Sequence, residues 1–288
     1  MLNSAILDVI IGLIFAFLTV SLGASSAVEA LASALKWRSE TLLDGIKALV
    51  NDPDFTGLAK SLYNHALVNP QSDGEAKTEA DLVAKPAYID PQHFADALIE
   101  VTNLAQTAPD AIKAEVAKIG NAQLKKLLGG IVDRSAGDVA KMRSEISRWF
   151  DNSMDRVSGV YKRKSQAWSF ALALAIATLL NIDAISITKI LWQQPMLATK
   201  IELKTGPDAP QAIAQLDQLG LPIGWSATNV KQFGAGWGIV GALLGWLVTA
   251  AAALFGAPFW FDTLQTIIRL KGAGPSPREK AQNIGASS

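Results

Sequence analysis

Hydrophobic and polar positions are unevenly distributed along this chain: three long apolar stretches interrupt sequence of ordinary polarity. The first, "AILDVIIGLIFAFLTVSLGASSAVEALASAL", runs from Ala5 to Leu35. The second, "AWSFALALAIATLLNIDAISITKILW", spans Ala167 to Trp192 and passes sixteen residues before its first charge, Asp183. The third, "FGAGWGIVGALLGWLVTAAAALFGAPFWF", Phe233 to Phe261, has no charge in 29 residues. A helix needs about 20 consecutive apolar residues to cross a bilayer core, and each stretch supplies them. The first has no Lys or Arg before it and runs through "GASSA" without a strong break. A retained helix is therefore expected there in preference to a cleaved leader.

Between the first two stretches the apolar residues recur at helical spacing. Leu42, Leu43, Ile46, Leu49 and Val50 make one face of "SETLLDGIKALV", which Ser39 or Thr41 can cap. "DPDFTGLAKSLYNHALV" predicts a second helix ended by Asn69 and Pro70, and the polar run Gln71 to Lys85 predicts a surface loop. Asp90 and Pro91 open "QHFADALIEVTNLA", with the proline in the first turn. "APDAIKAEVAKI" and "NAQLKKLLGGIV" predict short amphipathic helices. A long helix is then expected from a cap near Asp138, running into the second apolar stretch.

The resulting fold class is all-α: three transmembrane helices, with a helical domain inserted between the first and second. The expected segments are 1–35 (helix one), 36–165 (helical domain), 166–192 (helix two), 193–232 (a short segment with one helix around Pro210 to Leu219), 233–261 (helix three) and 262–288 (tail).

Charge adds the orientation. Lys36 and Arg38 follow the first span, Arg148, Arg156, Lys162, Arg163 and Lys164 precede the second, and Arg269, Lys271, Arg278 and Lys280 follow the third. By the positive-inside rule these flanks are cytoplasmic. The expected topology has the N-terminus outside, 36–166 inside, 193–232 outside and the C-terminus inside. Lys189 is the one discordant base, and it can snorkel to the outer surface. Between Lys36 and Ser165 eighteen bases meet eighteen acids, and the whole chain is neutral, so no broad basic field favours nucleic acid. There is no Cys, which excludes disulfides, thiolate metal sites and thiol catalysis.

Candidate chemistry is sparse, and no catalytic residue, cofactor site or metal site is assigned. His65 and His93, with Asp90, could meet only in three dimensions and lack the i, i+4 spacing of a metal-binding helix. Asp151 and Asp155 stand one turn apart, with Arg148 and Arg156 near enough in sequence to pair with them. Tyr161, Lys162, Arg163 and Lys164 form a basic collar, flanked by Trp149 and Trp168, that suits anionic lipid headgroups. Inside the apolar stretches, Asp183 and Asp8 are ionisable groups that need a partner or a water-filled path. Gly234, Gly238, Gly241 and Gly245 form a small-residue stripe that permits close helix contact within or between protomers. Pro258 should bend or end the third span. Phe259, Trp260 and Phe261 would then form an aromatic girdle, with Asp262 beginning "TLQTIIRL" and placed to cap it or pair with the collar.

At "WFDNSMDRVSGVYKRKSQ", "NIDAISITKILW", "LPIGW" and "GAPFWFDTLQTIIRLKGAGP" the chain resembles a family of uncharacterised bacterial multi-pass membrane proteins, with weaker similarity in "LYNHALV" and "AYIDPQHFADAL". That resemblance implies a bacterial inner-membrane setting and brings no activity or site residues with it.

Three functions fit these features. A membrane-anchored scaffold or assembly protein, working through helix packing and contacts with lipids and a protein partner or second copy, is the leading expectation. An oligomeric channel or transport component would use Asp183 in a polar path. A membrane-interface enzyme would need Asp151, Asp155 and Asp262 to converge.

Overall fold

The computed structural model describes residues 2–106, 108–194, 223–225 and 237–272. Among these the regular elements are all helical: α1 Leu2–Ala34, α2 Trp37–Leu49, α3 Leu58–Tyr63, α4 Pro91–Val101, α5 Pro109–Lys118, α6 Ala122–Ser135, α7 Val139–Leu179, α8 Ala184–Gln193, α9 Trp237–Ala253 and α10 Ala257–Gly272. The chain divides into two compact units, Ala32–Lys164 and Met1–Leu31 with Ser165–Ser288. The expected helix around Pro210 to Leu219 and the first glycine of the stripe, Gly234, lie outside the described residues.

The Ala32–Lys164 unit is built on a buried core of Leu43, Ile46, Tyr63, Phe94, Leu98, Ile112, Leu128, Met142, Ile146 and Phe150. Phe94 of α4 stacks on Phe150 of α7 with ring centroids 3.9 Å apart. Gly45 of α2 has no side chain because Val157 of α7 occupies the space a Cβ would need. The N-terminal part of α7 is thus the spine against which the shorter helices bury their apolar faces.

Local chemistry explains the helix ends. Asp90 accepts from the amides of Gln92 and His93 with Pro91 in the first turn, Asn121 accepts from Leu124, and Asp138 accepts from Ala140 and Lys141. Two expectations change. Neither Ser39 nor Thr41 caps α2. Lys36 turns the chain with φ 49°, and the two hydroxyls donate back to the carbonyls of Lys36 and Trp37. The second predicted helix shrinks to the six residues of α3. Its expected N-terminal half is instead a loop wound around Asp52, whose carboxylate accepts from the amides of Thr56, Gly57 and Ala59 at 2.8–3.0 Å. Its C-terminal half is displaced by Asn64, whose side-chain amide pairs with both backbone groups of Ala76. The loop 71–85 is also tied down: Ala76 and Leu82 are buried, Lys85 binds Glu40 and Glu79, and Lys47 binds Glu79.

Burial would raise the Asp52 carboxyl, but its backbone donors (Thr56, Gly57, Lys60 and Ala59) outweigh this and hold it below the ordinary value of 3.8. A carboxyl lowered by folding stabilises the fold above its unfolded value, and that contribution is lost as pH falls through the folded one. Thermal melts should therefore show wild-type stability falling below about pH 4, with a flatter acid limb in Asp52→Asn. Asp52→Ala, which strands three amides, should cost about 1–3 kcal/mol at neutral pH.

The second unit holds the apolar spans. Residues 6–34 of α1 form one helix long and apolar enough to cross a membrane, and two bent pairs, α7 with α8 at 51° and α9 with α10 at 95°, bring the number of spans to as many as three. The second apolar stretch is therefore not one straight helix. Its first half is the end of α7, which stops at Leu179, and a short break separates it from α8. The third stretch likewise ends its helix at Ala253. Gly256, with φ 84°, turns the chain before Pro258, so Phe259, Trp260, Phe261 and Asp262 belong to α10. The protein is a membrane-embedded, all-helical bundle with extensive packing between helices.

The core of this unit contains Ile11, Phe15, Leu18, Ala173, Ile182, Ile187, Leu191, Ala250 and Leu264. Gly12 of α1 leaves room for the Leu191 side chain of α8, and Gly23 faces Ile176 of α7. The outer face of α9, with Ile239, Val240, Leu243, Leu244, Leu247 and Val248, is exposed and apolar, as suits contact with lipid tails.

Candidate functional site

Among the described residues of the membrane unit, polar groups concentrate most where α7 breaks, at "LLNID", Leu179 to Asp183. A helix that stops inside an apolar region leaves carbonyls and amides without partners, and each must be satisfied by protein. Here they are. Asn181 adopts φ 48°, a left-handed conformation that Asn tolerates at a helix end. This lets the Ile182 amide reach the carbonyl of Ala177 at 2.7 Å and the Asn181 amide reach that of Thr178. The indole N–H of Trp225 lies 3.1 and 3.0 Å from the carbonyls of Thr178 and Leu179. The Gly224 amide donates to Leu180, and the Thr249 hydroxyl lies 3.0 Å from the carbonyl of Ile182.

Asp183 closes the other side of the break. It is buried and is the N-cap of α8: Oδ1 accepts from the amides of Ile185 and Ser186, and Oδ2 from the Ser186 hydroxyl at 2.7 Å. The start of α8 places partial positive charge beside the carboxylate. Lys189, two turns further, is exposed. Asp183 is thus a cap at a break and not a group midway along a continuous helix.

α9 fits against this break through Gly245, Trp246 and Thr249. A side chain at Gly245 would fall on the Asp183 carboxylate, so only glycine admits the capping group. At the next position, Trp246 donates its indole N–H to Asn181 Oδ1, while Asn181 Nδ2 donates to the Gly224 carbonyl. The indole of Trp225 lies beside that of Trp246, with centroids 5.7 Å apart. The second break is sealed in the same manner. The last carbonyls of α9 accept from Ser21 of α1, onto Ala253, and from the indole of Trp260 of α10, onto Ala252.

The other candidates are dispersed. Asp8 is buried on α1, four residues before Gly12. Gly241 differs from Gly245: nothing lies within 4 Å of where its Cβ would be, so the two glycines do not share one interface within the protomer. Asp262 lies exposed in the second turn of α10, too far along to cap it, and among the described residues no ion pair reaches it.

Asp151 and Asp155 are exposed on α7 and, with Arg38, Tyr88 and Tyr161, line a cleft of about 470 Å³. The expected pairing with Arg148 and Arg156 is not formed. Arg148 turns to Glu145, and Arg156 lines a different hollow with Trp149 and Val157. Arg163 is exposed. His65 accepts the Leu67 amide at Nδ1 and meets Glu100 at Nε2, 3.0 Å away, while Asp90 is occupied as a cap. Among the described residues no group of three or more His, Cys, Asp or Glu side chains is placed to hold a metal ion.

Asp183, with Asn181 as its neighbour, and Gly245 were visible in the sequence, but the part that Asn181, Thr249, Trp225 and Trp246 play in sealing the break was not. A signal was present: Asn followed two residues later by Asp, inside an apolar run, pairs a helix-terminating residue with a helix-starting one. No protein-family model, curated protein or solved structure matches this chain.

Proposed function

We propose that the chain is a membrane-anchored scaffold or assembly protein, with the helical unit 32–164 on the cytoplasmic side of a bacterial inner membrane and the N-terminus outside. The observation that carries this reading is how the polar groups of the membrane unit are used. Asp183, Thr249, Trp225, Ser21 and Trp260 bind helix ends exposed by the two breaks, and the Asn181 side chain links Trp246 to the Gly224 carbonyl. A polar path for ions needs groups turned toward water, whereas these are turned toward backbone or, for Trp246 and Asn181, toward each other. The Asp183 carboxylate holds α8, and glycine lets α9 close over it. This polar network favours a fixed architecture that presents a surface to partners.

Reconstitution tests the proposal. Vesicles carrying the protein should show no ion flux that differs between wild type and Asp183→Asn, and gently solubilised protein should run as a monomer or with a different protein bound. A closed homo-oligomer whose conductance is abolished by Asp183→Asn would overturn the scaffold in favour of an oligomeric channel.

A further inference from the structure

Among the described residues, eight of the eighteen cations of the 32–164 unit are in ion pairs and ten are in none. Lys36, Arg38, Lys162, Arg163 and Lys164 stand apart among the ten by their grouping at the start of α2 and on one stretch of α7. Lys47, Lys85, Lys113, Lys118, Arg134, Lys141, Arg143 and Arg148 are all in ion pairs. Among the described residues, no ion pair reaches Lys36, Arg38, Lys162, Arg163 or Lys164, although all five are exposed or held at the surface. The nearest acid in sequence, Glu40, is already bound through both carboxylate oxygens by Lys85 at 2.9 Å. Asp151 and Asp155 line a cleft with Arg38 and Tyr161 but form no ion pair with Arg38, and along α7 no acid follows Asp155 until the break at Asp183.

Two of the five are held by a reciprocal arrangement. α2 and α7 each contribute one aromatic ring and one cation. The Arg38 guanidinium lies over the Tyr161 ring, 5.6 Å from its centroid, and the Lys164 ammonium lies over the Trp37 ring at 5.2 Å. Trp37 is buried, so its ring is fixed in place. A ring face attracts a cation without neutralising it and without using its N–H donors. Arg38 and Lys164 therefore keep their charge and their donors for a ligand, with part of the side-chain ordering already done. Lys36, at the left-handed turn that starts α2, and Lys162 and Arg163, within one turn of Lys164, add three further charges.

We propose that this cluster is a binding site for the phosphate headgroup of an anionic phospholipid. Phosphate is the ligand that matches unneutralised donors held on two adjoining helices, Arg38 of α2 and Lys164 of α7, with further cations nearby in the chain. A lipid is favoured as its source because of the cluster's place in the chain: Lys36 follows α1, which carries the first span, by two residues, and Lys164 directly precedes the apolar part of α7. The rest of the unit is net acidic, with 13 bases against 18 acids, so it offers no extended track for a polyanion.

The test uses the full chain in a mild detergent, with added phosphatidylglycerol or phosphatidylcholine of identical acyl chains, read by native mass spectrometry. Wild type should retain phosphatidylglycerol at least about tenfold more strongly, and rising salt should erase the preference. The variant R38Q/K162Q/R163Q/K164Q should lose the preference, whereas K60Q/K77Q/K125Q/K126Q, which removes as many charges elsewhere, should keep it. Should the first variant not fold, the wild-type lipid preference and its salt dependence still decide. Equal retention of the two lipids, or equal loss in both variants, would overturn the proposal. So would displacement of phosphatidylglycerol by inorganic phosphate at matched ionic strength, which would identify a site for a free anion.

Discussion

Gly245→Ala should be among the most damaging single methyl additions in this protein, and Gly241→Ala, four residues earlier on the same helix, should be harmless. At position 245 the new methyl group would land on the carboxylate of Asp183. That carboxylate cannot swing aside without releasing the Ile185 and Ser186 amides and the Ser186 hydroxyl. The alternative is for α9 to move away, which breaks the bonds from Trp246 to Asn181 and from Thr249 to Ile182. Overpacking typically costs about 1–3 kcal/mol, and this site should lie at the upper end. At 241 a methyl meets nothing within 4 Å, and exchanging Gly for Ala inside a helix gains up to about 1 kcal/mol. Thermal melts of both variants in one detergent measure the contrast. The double variant Gly245→Ala with Asp183→Ala should cost less than the sum of the two single changes, because Asp183→Ala removes the carboxylate that the new methyl meets. Equal destabilisation at 241 and 245 would show instead that the glycines act as one stripe against a second copy.

The second large effect concerns Asp183 itself. Asp183→Ala removes the cap and strands two amides and a hydroxyl in apolar surroundings. Loss of a cap costs about 0.5–2 kcal/mol, and buried donors without partners about 1–3 kcal/mol. A total near 3 kcal/mol is expected. Asp183→Asn keeps an oxygen to accept the Ile185 and Ser186 amides, and its NH2 can donate to the Ser186 hydroxyl oxygen. Its cost should stay below about 1 kcal/mol. Circular dichroism melts of the pair separate cap from charge. If the asparagine variant were as unstable as the alanine one, the negative charge itself would be required, and a bound cation or proton would replace the capping role.

Much of the architecture was legible in the residues. Apolar runs of bilayer length mark the spans in any sequence, because removing backbone from water leaves few solutions besides a helix. The caps at Asp90 and Asp138 were equally legible, since a side chain there bonds to amides two or three residues away. The α3 region was misread for the opposite reason: its apolar spacing is helical, but Asp52 and Asn64 bind backbone in competition with the helix.

The candidate site was half legible. Asp183 and Gly245 stood out singly, one as an ionisable group in an apolar run and the other as part of a glycine stripe. Their relation did not, because 62 positions separate them and no local pattern links a cap to the glycine that makes room for it. The sequence by itself determined that helices would cross a membrane and that polar groups within them must find partners. Only the tertiary structure decided which partners these are. Hydrogen bonds within one helix are set by spacing along the chain, whereas the groups freed at a break are satisfied by whatever the packing of α1, α9, α10 and Trp225 brings within reach.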